Sequence, residues 1–231
     1  MSHVESPAWL IPAFERAAVA AGATASPAAI SSAAARLLDR WEDPRRHFHN
    51  VRHLVDLLQR VDELQQEAHD AHSVRLAAWY HGAVFDSDAE AAYAKRGGED
   101  EAASAEYART ELAALGVPSE RIADVATMVE ALARHSILPA SMDCAVLCDA
   151  DLSILAADPQ KYRKYLADIR AEYAHIPERR FLESRRAIVS KLLKRDRLYL
   201  SPMSAGWEGQ ARQNLQAELS RIDRDLAVVE D

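Results

Sequence analysis

Apolar residues recur at spacings of three and four along almost the whole chain, and this rhythm restricts the fold more than any other property of the sequence. It runs through Val51, Leu54, Val55, Leu57, Leu58 and Val61, then Val74, Ala77, Ala78, Val84 and Phe85, then Ile122, Val125, Val129 and Leu132. Such spacing lays a stripe along one face of an α-helix, and the alternation that a half-buried strand needs is nearly absent. Cap residues followed by proline, in Ser6-Pro7, Ser26-Pro27 and Asp158-Pro159, mark helix starts. The expected fold is therefore all-α, with helices near 7–21, 27–41, 50–67, 74–85, 99–115, 120–135, 141–156, 159–174, 178–195 and 207–228. Gly97-Gly98, Leu138-Pro139 and Ser201-Pro202 mark loops, none of them long enough to separate domains.

A chain of 231 residues can bury one irregular helical bundle without covalent staples. Cys144 and Cys148, four apart on one expected helix, read as small core-facing residues rather than a bridge or a zinc pair, which points to a reducing compartment. The segment Met1–Glu15 lacks a basic stretch followed by an apolar run, and no stretch nears the roughly 18 apolar residues of a membrane span. A cytoplasmic location without a membrane partner is the expectation. The net charge of −8 comes from 36 acidic and 28 basic residues spread without a basic stripe, which argues against nucleic acid as a partner. An anionic small substrate then needs local help from a metal or a few cationic side chains. Trp9, Leu10 and Trp207 are expected in the core, with a homodimer contact as the alternative.

Three segments place metal-capable side chains where a core-building helix would carry apolar ones. His49 and His53 stand four apart and are expected on one face of a helix start. His81 has Ala77, Ala78, Val84 and Phe85 as helical neighbours and is expected to be buried. Asp151 lies among Leu147, Cys148, Ile154 and Leu155, while Asp149 points away by roughly 200° on a helical wheel. A buried carboxylate costs several kcal/mol unless a cation or several donors satisfy it, and a divalent ion held by imidazoles would do so. Taken singly, each has an ordinary reading: the histidine pair as a cap and a surface residue, His81 as a hydrogen-bonded core histidine, Asp151 as the partner of Arg170 or Arg134.

As a set, His49-Asn50-x-x-His53, Trp79-Tyr80-His81 and Ala150-Asp151-Leu152-Ser153 resemble the HD superfamily of metal-dependent phosphohydrolases. The resemblance is greatest to the bacterial proteins described as predicted metal-dependent HD phosphohydrolases. It covers roughly residues 38 to 220, with residues 1–37 as helices packing on that core in a single domain. Arg46-x-Phe48, Glu101 to Ala105, Arg170-Ala171-Glu172-Tyr173 and Glu208-x-x-Ala211-Arg212-x-Asn214-Leu215 support it. It implies hydrolysis of a phosphate ester or anhydride in a small, nucleotide-like substrate. His53, His81 and Asp151 would hold a divalent ion (Mn, Mg, Ni, Co, Zn or Fe), and His49 would be the general acid. Asp149 is a candidate for orienting the nucleophile.

Glu101 and His135 match positions near the pocket in related proteins, against ordinary readings as a solvated carboxylate and a helix-end charge. Arg46, Arg170 and Lys161 are candidates for phosphate oxygens, against surface ion pairs. The departure from the pattern is Gly82, where the family carries the aspartate of its His-Asp pair, and Asp86 one turn on is a possible stand-in. Glycine is scarce here, seven in all, and costs roughly 1 kcal/mol relative to alanine inside a helix. Lost, weakened and rerouted chemistry all remain open at this position. The alternative function is a ligand-binding or regulatory module that kept the scaffold without catalysis.

Overall fold

The computed structural model describes residues 6–87, 98–133 and 141–229. Most helices in it begin where a side chain can satisfy the free N–H groups of a first turn. Ser26 caps α2 (Pro27–Trp41), Asn50 caps α3 (Val51–Leu64) and Asp70 caps α4 (Ala71–Tyr80). Asp100 caps α5 (Glu101–Ala114), Ser141 caps α7 (Met142–Asp151) and Asp158 caps α8 (Pro159–Glu172). The remaining helices are α1 (Leu10–Ala20), α6 (Ser119–Leu132), α9 (Glu178–Leu193) and α10 (Glu208–Leu226). The fold is all-helical, and the described residues hold no strand beyond an isolated bridge between Phe85 and Glu99.

Three boundaries differ from the sequence expectation for identifiable reasons. Ser6 does not cap α1, because its hydroxyl donates to Glu42, and the helix begins without a side-chain cap. The expected helix 74–85 stops at Tyr80, since Arg46 Nη1 takes the Gly82 carbonyl at 2.7 Å and Arg40 Nη1 the Ala83 carbonyl at 3.1 Å. Asp86 is therefore not one turn further along that helix. The expected helix 141–156 becomes α7 followed by a tighter 3-10 turn over Leu152–Ala156, which puts Asp151 at the seam.

The apolar faces condense into two clusters. The larger draws on α1 to α7, with Leu10, Phe14, Trp41, Leu54, Trp79 and Leu147 fully buried, and Phe14 meets Trp79 edge-on at 5.4 Å. The smaller is built from α8 to α10 around Tyr165, Ile169, Phe181, Val189, Tyr199 and Leu215. Trp207 packs against both, Leu10 is wholly buried, and Trp9 keeps 41% of its surface exposed. Each large side chain so buried contributes about 1.5–3 kcal/mol. Cys144 and Cys148 are free thiols in the core. Among the described residues no helix is long and apolar enough to cross a membrane.

Candidate metal centre

Three helix ends bring His53, His81 and Asp151 together. His53 sits in the first turn of α3, His81 is the residue after α4, and Asp151 closes α7. His53 Nε2 lies 3.3 Å from His81 Nε2 and 3.2 Å from Asp151 Oδ1, and the third edge, His81 Nε2 to Asp151 Oδ1, is 3.8 Å. Donor atoms roughly 2.0–2.2 Å from one ion stand about 3.0–3.5 Å apart, so the triangle has the right size. His81 Nδ1 lies 2.7 Å from the Ala78 carbonyl, which can only accept, so the ring proton resides there and Nε2 presents a lone pair. Burial pushes the His81 pKa down against the pull of Asp151, which keeps the ring neutral. Two imidazole nitrogens and a carboxylate oxygen thus face one another across 3.2 to 3.8 Å. Two neutral imidazoles and one carboxylate suit a borderline divalent cation.

Beside the triad, His49 occupies the position before the Asn50 cap, not the helix face shared with His53, yet the two rings are only 5.7 Å apart. Glu172, from α8, fixes it. One oxygen of that carboxylate lies 2.5 Å from His49 Nδ1, and the other accepts the backbone N–H groups of His47, Phe48 and His49 at 2.8, 2.8 and 3.1 Å. Burial disfavours charge on His49, but Glu172 and Glu99 outweigh it and raise its pKa to about 9. Glu172, although burial opposes its ionisation, is held down at about 2 by His49 and those N–H donors. His49 is therefore an imidazolium near neutral pH. Its second nitrogen, Nε2, stands 3.7 Å from Glu99 Oε2, and Glu99 Oε1 lies 3.9 Å from His81 Nε2.

Gly82 has a packing reason. A Cβ there would stand 2.4 Å from Trp41 Cη2, with two further indole carbons inside 3 Å. The indole is wholly buried, donates to the Trp79 carbonyl at 3.0 Å and lies against His81 at 5.1 Å. Trp41 fills the space where a side chain at position 82 would begin. Arg46, also buried, grips the Gly82 carbonyl, lies over the Phe85 ring, and has its pKa lowered to about 10 by burial.

The remaining expected site residues divide. Asp149 is not aimed at the triad: its carboxylate accepts from the backbone of Leu200 and Ser201 and from Ser204 Oγ, between 2.6 and 2.9 Å, and anchors residues 200–204 to α7. A role in orienting a nucleophile is replaced by a structural one. Arg170 binds the carbonyls of Tyr173 and Ile176 and covers Phe181, away from the triad. Glu101 is buried in the first turn of α5, and His135 lies outside the described residues. Lys161 pairs with Asp56 at 2.8 Å on the rim of a cavity of about 20 Å³ that His53, Asp151, Phe48, Leu57 and Arg60 help to line.

Two residues of the site escaped the sequence reading. Glu172 had a usable signal, since Tyr162, Tyr165, Ile169 and Glu172 follow the three-four rhythm and put a carboxylate on the buried stripe of α8. Glu99 had none, because the expected helix 99–115 took it as a first-turn residue, whereas the helix starts at Glu101. No protein-family model, curated protein or solved structure matches the chain.

Proposed function

We propose that this chain is a metal-dependent phosphohydrolase of the HD type with a single metal ion, acting on a phosphate ester or anhydride of a small, nucleotide-like molecule. The observation that carries the reading is the triad: two imidazole nitrogens and a carboxylate from three separate helices, in a triangle with edges of 3.2 to 3.8 Å. A divalent ion held there supplies an activated water and neutralises charge on phosphoryl oxygens.

The chain's own groups divide the remaining work. His49, charged and locked through Nδ1 onto Glu172, holds a proton on Nε2 for the departing oxygen. Phe48 walls the site, lying 4.8 Å from the His53 ring, and excludes water from that side. Access requires the Asp56–Lys161 pair to part, because the present cavity has room for about one water. Lys161, once released, and Arg60 offer positive charge to a phosphate. The packing of Trp41 on Gly82 favours one ion over two, since a bridging carboxylate has no space to start from position 82.

Metal content and turnover of phosphate monoesters, diesters and nucleotides, measured on wild type and three variants, test the proposal. His53→Ala and Asp151→Asn should lose both metal and activity. His49→Gln should keep the metal and lose about 10²–10⁴-fold in rate. Turnover that survives Asp151→Asn, or wild type that takes up no manganese, nickel or cobalt, would overturn it. The blocked position 82 also favours a second reading, a pocket that binds metal and ligand without turnover. Metal bound by the triad with every substrate left intact would establish that one.

A further inference from the structure

With no room for a side chain at Gly82, the triad offers three ligands and one negative charge. Two neutral imidazoles and Asp151 leave a divalent ion with an uncompensated positive charge in a buried place, where such a charge is costly. A second carboxylate stands alongside. Glu99 Oε1 is 3.9 Å from His81 Nε2, nearly the length of the longest edge within the triad, 3.8 Å, and its side chain keeps 21% of its surface free.

Its backbone is pinned to the segment that carries Gly82. Glu99 bridges Phe85, Asp86 N–H donates to the Gly98 carbonyl at 2.7 Å, and Asp100 N–H donates to the Val84 carbonyl at 3.1 Å. On the other side Gly98 N–H donates to the Tyr173 hydroxyl at 2.6 Å, one residue beyond the Glu172 that holds His49. Gly98 permits this closeness, since a Cβ there would lie 2.9 Å from the Phe85 ring. The main chain therefore fixes where Glu99 starts, and its three side-chain torsions remain to set where the carboxylate ends.

We infer that Glu99 is the fourth protein ligand of the metal, supplying from across the Phe85–Glu99 bridge the carboxylate that Gly82 cannot. The inference rests on the metal reading above. Glu99 is not among the three residues whose ligand atoms lie within 4.8 Å of one another, and a rotation of its side chain toward His81 completes the shell. Its second oxygen stays on the His49 side, 3.7 Å from Nε2 before that rotation, so one carboxylate joins the ion to the proton donor.

The test uses Co²⁺ alone as the probe on the full chain, with affinity from calorimetric titration and coordination from the visible absorption of the bound ion. Wild type, Glu99→Gln, Glu99→Asp and Asp151→Asn are compared, with circular dichroism confirming each fold. Glu99→Gln should bind roughly 10–100-fold more weakly and shift the cobalt bands, and Glu99→Asp should recover part of both. An affinity loss with unshifted bands would mark Glu99 as a counter-ion only and overturn ligation, as would wild-type affinity in Glu99→Gln. Either result leaves the metal reading standing. Failure of wild type itself to bind cobalt would instead remove that reading, and the inference with it.

Discussion

The α1–α7 half and the α8–α10 half bury polar groups to opposite ends. In the second half buried polar side chains meet their complements: Arg185 Nε meets Glu218 Oε1 at 2.6 Å, the Tyr162 hydroxyl donates to the same carboxylate, and Asn214 donates to the carbonyls of Leu155 and Ala157. At the edge of the first half His53, His81 and Asp151 aim metal-capable atoms at one another. Burial alone does not mark a site. Burial with ligand atoms from separate helices converging within 4.8 Å of one another does.

The sharpest way to break this contrast is Glu218→Ala, which takes the carboxylate away from the buried Arg185 guanidinium. It should cost about 3–5 kcal/mol in denaturant unfolding, while replacing both partners with apolar residues should cost far less. Metal binding should survive where the protein stays folded. Next come the two aspartates of α7. Asp149→Ala leaves three donors without their acceptor and should lose about 2–4 kcal/mol with the metal retained, whereas Asp151→Asn should lose the metal and leave stability without metal within about 1 kcal/mol of wild type. Equal thermal shifts for the two would erase the distinction.

A smaller effect is expected at Gly82. Gly82→Asp forces the Trp41 indole aside and should destabilise by about 1–3 kcal/mol in the same unfolding assay without a gain in metal affinity. The smallest is a pH dependence that joins the halves. His49, raised from 6.5 to about 9, contributes fully below pH 6.5 and loses its contribution as pH climbs through 9. Glu172, lowered from 4.5 to about 2, contributes above pH 4.5 and loses it as pH falls through 2. The stability gap between wild type and Glu172→Gln, about 1 kcal/mol, should therefore be widest between pH 4.5 and 6.5 and narrow on either side.

Much of this was legible in the sequence, and the exceptions share a cause. Helix content and the burial of His81 follow from spacing, because periodicity reports which way a side chain points, and Ser26 and Asp158 were legible as caps from the proline after each; burial of the two aspartates came out reversed, with Asp149 wholly buried and Asp151 only partly so. The opposed directions of Asp149 and Asp151 were legible for the same reason, although the donors that claim Asp149 sit some 50 residues away and left no local trace. The end of α4 at Tyr80 was hidden because Arg40 and Arg46, distant in sequence, capture its next carbonyls. Glu99 was missed because the expected helix 99–115 took it as a first-turn residue, whereas the helix starts at Glu101 and the bridge to Phe85 brings Glu99 beside His81.

The indole seated over Gly82 also links two positions in any history of sequence change. An aspartate arriving at 82 first collides with the ring, and a smaller residue arriving at 41 first opens a cavity worth about 3–5 kcal/mol. Neither step is tolerated well without the other. A side chain at 82 and a smaller residue at 41 are therefore one packing change spread over two positions about 40 residues apart.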